Sequence, residues 1–171
     1  RELGVLGNKH IPPKYLRSSI SQRLDLLRGL MDTDGHCNSR GTATFCNTNE
    51  KLVDDLYELA VTLGLRPIKR RHLGSYKGLE YPFFQVSFQA YQEPCPFLLR
   101  RKSERCKLGK RRNPRHFIVG CKRVPSVPMR CIQVSSRDGL YLAGKSMLPT
   151  HNSTIITFGK TIQDILNDPE T

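Results

Sequence analysis

Acidic residues are scarce in this chain. Fifteen Asp and Glu stand against 28 Lys and Arg in 171 residues, a net charge of +13. Such an excess points to a polyanionic partner, most often nucleic acid, and says nothing about fold. Long apolar runs are also absent. None approaches the roughly 20 residues a bilayer span needs, which excludes a membrane protein. No signal peptide opens the chain, so a cytoplasmic location is expected. The six cysteines, at 37, 46, 95, 106, 121 and 131, include no C-x-x-C pair, and no paired histidines follow them. A zinc site is therefore unsupported, and free thiols in a reducing compartment are expected. An opening methionine and a closing element are both missing, so the chain reads as a fragment of something longer.

What is present is periodic. A hydrophobic share of 37% is arranged in runs that can build a core. Residues 1–16, with Gly4, Gly7, Pro12 and Pro13, read as a loop-like lead. Ile20, Leu24, Leu27 and Met31 then mark one face of a helix, with serines at 18, 19 and 21 as caps. The helix runs into Asp32-Thr33-Asp34-Gly35, where Gly35 is expected to stop it. A hairpin over 36–46 turns at Arg40-Gly41. A second helix covers 49–63, with a capping arrangement from Asn47 to Glu50 and Gly64 just past its end. A second hairpin covers 66–90, where Phe84, Val86, Phe88 and Ala90 alternate with polar residues. A short helix, Phe97–Lys102, follows. The expected class is α+β, with the sheet polar on one face.

Between 100 and 123, eleven basic residues face Glu104 alone, which concentrates +10 of the net charge. Short strands at about Arg130–Ser135 and Leu140–Ala143 come next, and a helix at Ile162–Leu166 closes the chain.

The segment Leu27-Arg28-Gly29-Leu30-Met31-Asp32-Thr33-Asp34-Gly35 resembles the motif of the LAGLIDADG homing endonucleases, with Arg, Met and Thr replacing Ala, Ile and Ala. Gly29 would let a second helix approach closely. Asp34, at the helix end, would offer a carboxylate oxygen to Mg2+, a hard cation that suits one or two carboxylates plus water and phosphate. Metals so held activate water and stabilise a leaving oxygen. The resemblance implies an αββαββα unit. Leu6-Gly7-Asn8-Lys9-His10-Ile11-Pro12 resembles the lysine block that precedes the second such motif in intein endonucleases. It makes Lys9 an expected active-site lysine, its charge stabilising the developing phosphorane. It also implies that a first repeat, with its own acid, precedes Arg1.

Cys131 through Gly144 and on to His151-Asn152-Ser153 resembles the C-terminal splicing region of an intein, the β-rich end of a Hint domain. By that resemblance the Asn152 side-chain amide attacks its own carbonyl, His151 supplies a proton, and Ser153 is the hydroxyl nucleophile. Ser135 and Gly139 stand where many inteins carry Asp and His. The two resemblances cover about residues 3–152. Residues 153–171 would begin the extein. Joined to a preceding Gly-Lys, Ser153-Thr154 would complete a phosphate-binding loop, and this stretch resembles a phage terminase large subunit.

The implied organisation is a lead (1–16), an endonuclease repeat (17–105), a basic linker (106–128), a splicing region (129–152) and extein (153–171). Implied partners are a double-stranded DNA site, the missing N-terminal intein half and the extein protein. Hairpin faces suit the major groove, which makes Asn38, Arg40, Thr42, Thr44, Arg66, Lys69, Arg71, Gln85, Ser87 and Gln89 candidate base readers. Arg111 and Arg112 are candidate phosphate contacts. Two other readings remain open: a regulator of the same fold that binds DNA without cutting, and, for residues 153–171 alone, an ATPase piece. The basic stretch predicts a DNA affinity that falls steeply between about 50 and 200 mM salt. A flat filter-binding curve over that range would remove the phosphate role.

Overall fold

The computed structural model describes residues 4–110, 120, 122–123, 125–128, 132 and 134–151. The chain forms two compact units, Arg1–His116 and Phe117–Thr171. Among the described residues no helix is long and apolar enough to cross a membrane.

The first unit is built on a four-stranded antiparallel sheet. A short helix α1 (Pro13–Leu16) precedes the long α2 (Ile20–Asp34); then come β1 (Gly35–Cys37), β2 (Thr42–Asn47), α3 (Glu50–Thr62), β3 (Ile68–Tyr76) and β4 (Leu79–Gln89). A smaller parallel pair, β5 (Tyr91–Glu93) with β6 (Lys107–Lys110), flanks α4 (Arg100–Ser103). The strand order is β1-β2-β4-β3. This is an α+β arrangement, as the alternating periods require. The lead expected to be all loop contains α1, because Pro13 sits at a first-turn position where its missing N–H costs nothing.

Local chemistry explains the boundaries. Ser19 and Gln22 form a reciprocal capping box at the start of α2. The cap of α3 is Asn49, which accepts from the Leu52 N–H at 3.2 Å. Asn47 was the expected cap; its side chain accepts from the Asn49 N–H instead, bending the chain into the helix. At the other end Gly64 (φ +74°) is followed by bonds from Gly64 N–H to Val61 O and from Leu65 N–H to Ala60 O. This double bond pattern closes the helix through a left-handed residue. The last helix is shorter and later than expected, Arg100–Ser103 rather than Phe97–Lys102.

The core lies between the helices and one sheet face. Leu27 and Met31 of α2, Val53, Leu56 and Leu59 of α3, Phe45 of β2 and Val86 of β4 are fully buried. Asp55 is the one buried charge among the described residues. Its carboxylate accepts the Ile11 N–H at 2.9 Å and pairs with Lys51, which satisfies it and fastens the lead to α3. Cys37, Cys46, Cys95 and Cys106 are free thiols, with Cys95 and Cys106 sulfurs 3.8 Å apart. Burial pushes the Cys106 thiol far up, with Cys95 and Cys37 adding to the effect.

The second unit shows, among its described residues, a hairpin of β7 (Tyr141–Ala143) and β8 (Leu148–Thr150). The first of these matches the strand expected at 140–143; the second was not anticipated. Of the strand expected at Arg130–Ser135, residues 132, 134 and 135 are described and none is in a strand. The helix expected at 162–166 lies outside the described residues.

Replacing Asn49 by Ala should cost about 1 kcal/mol by urea denaturation, the usual loss of a cap. Asn47→Ala should cost less. Equal losses would return the cap to Asn47.

Candidate functional site

Helix α2 passes into β1 without a loop. Gly35 follows at once in extended conformation (φ −88°, ψ 160°). It is a glycine for lack of room, not for a left-handed turn: a Cβ there would lie 2.5 Å from the Met31 carbonyl oxygen. The turn-type stop expected at this position is therefore replaced by a direct helix-to-strand junction.

The junction is held by residues far away in sequence. The Lys102 ammonium donates to the carbonyls of Met31, Asp32 and Gly35 at 2.9, 2.8 and 2.6 Å. It satisfies oxygens that a helix end otherwise leaves to water. The Asp32 carboxylate accepts the backbone N–H groups of Leu98 and Leu99 at 3.0 and 3.3 Å. Asp34 is left exposed, with no hydrogen-bond or ion-pair partner recorded. No basic residue of α2 itself occupies its last turn; the Lys102 ammonium is the cation that answers the negative end of the helix dipole.

That environment fits one carboxylate ligand of Mg2+, and only one. Among the described residues no three His, Cys, Asp or Glu side chains cluster as a metal site, and the neighbouring carbonyls are engaged by Lys102. A hard cation would take its other oxygens from water, phosphate or a second acid.

Lys9 is exposed, and its carbonyl accepts from the Asn49 side chain at 2.8 Å. Gly35 pairs with Phe45 across β1 and β2, so Asp34 and the Asn47–Asn49 turn lie at the same end of β2. The structure thus brings the Lys9 and Asp34 backbones to one end of the sheet, without recording a contact between their side chains.

The sheet has two unlike faces. Register pairs Ala43 with Phe88 and Phe45 with Val86 on the face against the helices. Thr42, Thr44, Gln85, Ser87 and Gln89 fall on the opposite face. Across β3 and β4, Lys69 pairs with Val86 and Arg71 with Phe84. Both basic residues therefore share the helix-side face, contrary to the expectation that they join the polar one. Lys69 is bound there to Glu50 and Asp54 of α3 at 2.7 and 2.5 Å. Arg70 and His72 take the polar face instead, opposite Gln85 and Phe83, and His72 stacks on Phe83 at 5.1 Å between centroids. Arg66 is exposed just before β3.

Two candidates are tied up by the first hairpin loop. Asn38 accepts from the N–H groups of Arg40 and Thr42. The Gln89 amide donates to the Gly41 carbonyl at 2.5 Å. Arg40 is exposed at that loop. His151 is exposed just after β8; Asn152, Ser153, Arg111 and Arg112 lie outside the described residues. Upstream of β7, Asp138 accepts the Leu140 N–H at 3.0 Å, which with Ser136 holds its carboxyl below the usual range.

No known family profile matches the chain. Over 161 residues, 91% of this chain, it is 41% identical to "Replicative DNA helicase DnaB" of Mycobacterium intracellulare. The chain is similar to a replicative DNA helicase. A second protein of that name, from Mycobacterium leprae (strain TN), is 59% identical over 38 residues, 22% of the chain. The chain spans 27% of the first relative's length and the match covers 6% of the second's. These names overturn the family assignment drawn from motifs. Neither relative is named a LAGLIDADG endonuclease or a terminase.

Burial pulls the Lys69 ammonium down, but Asp54 and Glu50 outweigh it and hold it above its ordinary value of 10.5. Its stabilising effect is thus complete below about pH 10.4, the unfolded value, and is lost as pH rises through the higher folded one. Lys69→Met should lower stability by less than about 1 kcal/mol at pH 8. The gap between parent and variant in urea should close above pH 10.5. A gap that persisted there would remove the ion pairs as its cause.

Proposed function

We propose that the first unit is a Mg2+-dependent, site-specific double-strand DNA homing endonuclease, carried by an intein that interrupts a replicative helicase. One observation carries this reading. A carboxylate with no partner, Asp34, stands at the end of α2, in the same unit as a sheet whose polar face lies opposite the one that α2 and α3 pack against. A β-ribbon face of this kind fits the major groove.

Arg70, by bidentate geometry, would read guanine, and Gln85 adenine. Thr42, Thr44 and Ser87 would supply shorter hydroxyl contacts, with Arg40 and Arg66 at the rim. Exposed basic residues of the 100–123 stretch would grip phosphates and set register. Asp34 would hold the metal, with a second acid from another copy of the unit or another part of the parent. The metal's contribution is to acidify a bound water and stabilise the departing oxygen. Lys9 would balance negative charge that builds on the phosphate. In the second unit, the Asn152 side-chain nitrogen would attack its own carbonyl carbon. The 152–153 bond would break as His151 delivers a proton to the departing Ser153 amine.

The lack of a three-ligand cluster among the described residues favours a second reading, a DNA-binding protein without cleavage. One experiment separates the two. A plasmid carrying the helicase-coding sequence without the insert is incubated with the chain and Mg2+. Site-specific cleavage is expected, lost in Asp34→Asn, while binding in EDTA persists. Arg70→Ala should lower affinity for the site and relax sequence preference, whereas Lys69→Ala should leave preference unchanged. Cleavage by Asp34→Asn at the parent rate would sink the nuclease assignment, and binding without any cleavage would establish the second reading.

A further inference from the structure

Lys102 does something unusual for a residue in a basic stretch: it points inward. Its ammonium reaches three carbonyl oxygens, those of Met31, Asp32 and Gly35, which bracket Asp34 on both sides. Its nitrogen also lies 5.9 Å from the centre of the Phe97 ring. A lysine ammonium has three donors and no acceptor, so all three are spent at one helix end. The Asp32 carboxylate closes the arrangement from the other side, through the N–H groups of Leu98 and Leu99. Two oppositely charged side chains thus lock α2 to the segment that leads into α4.

We propose that Lys102 is a positioning residue for the metal carboxylate of Asp34. This rests on the reading of Asp34 as a cation ligand. The lock fixes the backbone on each side of Asp34 while leaving its carboxylate free, so the carboxylate is aimed without being consumed. It also withdraws the Met31, Asp32 and Gly35 carbonyl oxygens from competition for a cation at this helix end. Without the ammonium, the Met31 carbonyl keeps only the Gly35 N–H, and the last turn of α2 loses its tie to α4. Groups that orient a metal ligand commonly set affinity by tenfold or more.

The test is a Mn2+ titration of the isotopically labelled full chain, following paramagnetic broadening of the Asp34 and Gly35 amide signals, with thermal melting recorded without metal. The parent should show local broadening that disappears in Asp34→Asn. Lys102→Met, which keeps the stem and removes the donors, should need about tenfold more Mn2+ for the same broadening. Asp32→Asn, which weakens the opposite side of the lock, should shift the titration in the same direction and serves if Lys102→Met does not fold. A folded Lys102→Met that broadens at the parent's Mn2+ concentration would overturn the proposal, as would parent broadening that survives Asp34→Asn. Failure of the parent to cut DNA would count against the nuclease reading alone, since the titration contains no DNA.

Discussion

Two helices can cover only one face of a four-stranded sheet, and most of this unit follows from that constraint. Strand side chains alternate sides with a period of two, so a single choice of buried face assigns every position in β1–β4. Phe45 and Val86 make that choice by meeting α2 and α3. The lysine at 69 is then committed to α3 through Glu50 and Asp54, and Arg70 is committed to the open side. A shift of one residue in register would exchange them. The two-residue turn Lys77-Gly78, both with positive φ, prevents it by fixing Tyr76 against Leu79.

The same constraint shapes the helix-to-strand junction. Because α2 must reach the sheet at the strand that begins β1, there is no room for a loop between Asp34 and Gly35. The carbonyls of the last turn still need donors. They find one in Lys102, brought near by β5, α4 and the Asp32 carboxylate. The acid that ends the helix is consequently the one acid of this junction left facing solvent, while Asp32 is consumed by structure. Two aspartates two residues apart have opposite fates, decided by which donors surround each.

Much of this was legible in the sequence. The periods of α2 and α3 and the alternation of β4 were enough for the α+β class and for the buried face of the sheet. The face of β3 was readable too, since a two-residue turn fixes the partner of each residue. Choosing residues for charge instead of counting from that turn put Lys69 and Arg71 on the wrong side. The Lys102 lock was not readable, because no local pattern links a lysine to carbonyls some seventy residues earlier. The terminase resemblance failed for a different reason. It rested on one Ser-Thr pair, and a motif that short occurs by chance in many unrelated chains.

Charge counting is corrected by the same structure. The stretch from 100 to 123 looks like a uniform basic surface, yet three of its described basic residues are engaged within the protein. Arg100 pairs with Glu104, Lys102 donates to three backbone carbonyls, and Arg105 donates to the Cys37 carbonyl at 3.0 Å. A cation that satisfies the protein's own oxygens releases fewer counterions from DNA than one that starts out hydrated, because its geometry is fixed and its donors are occupied. If this segment binds DNA, the number of phosphates it would neutralise is therefore smaller than its formal +10 suggests. Exposed residues such as Arg101 and Lys107 would carry that task. Lys102 belongs instead to the architecture that presents Asp34.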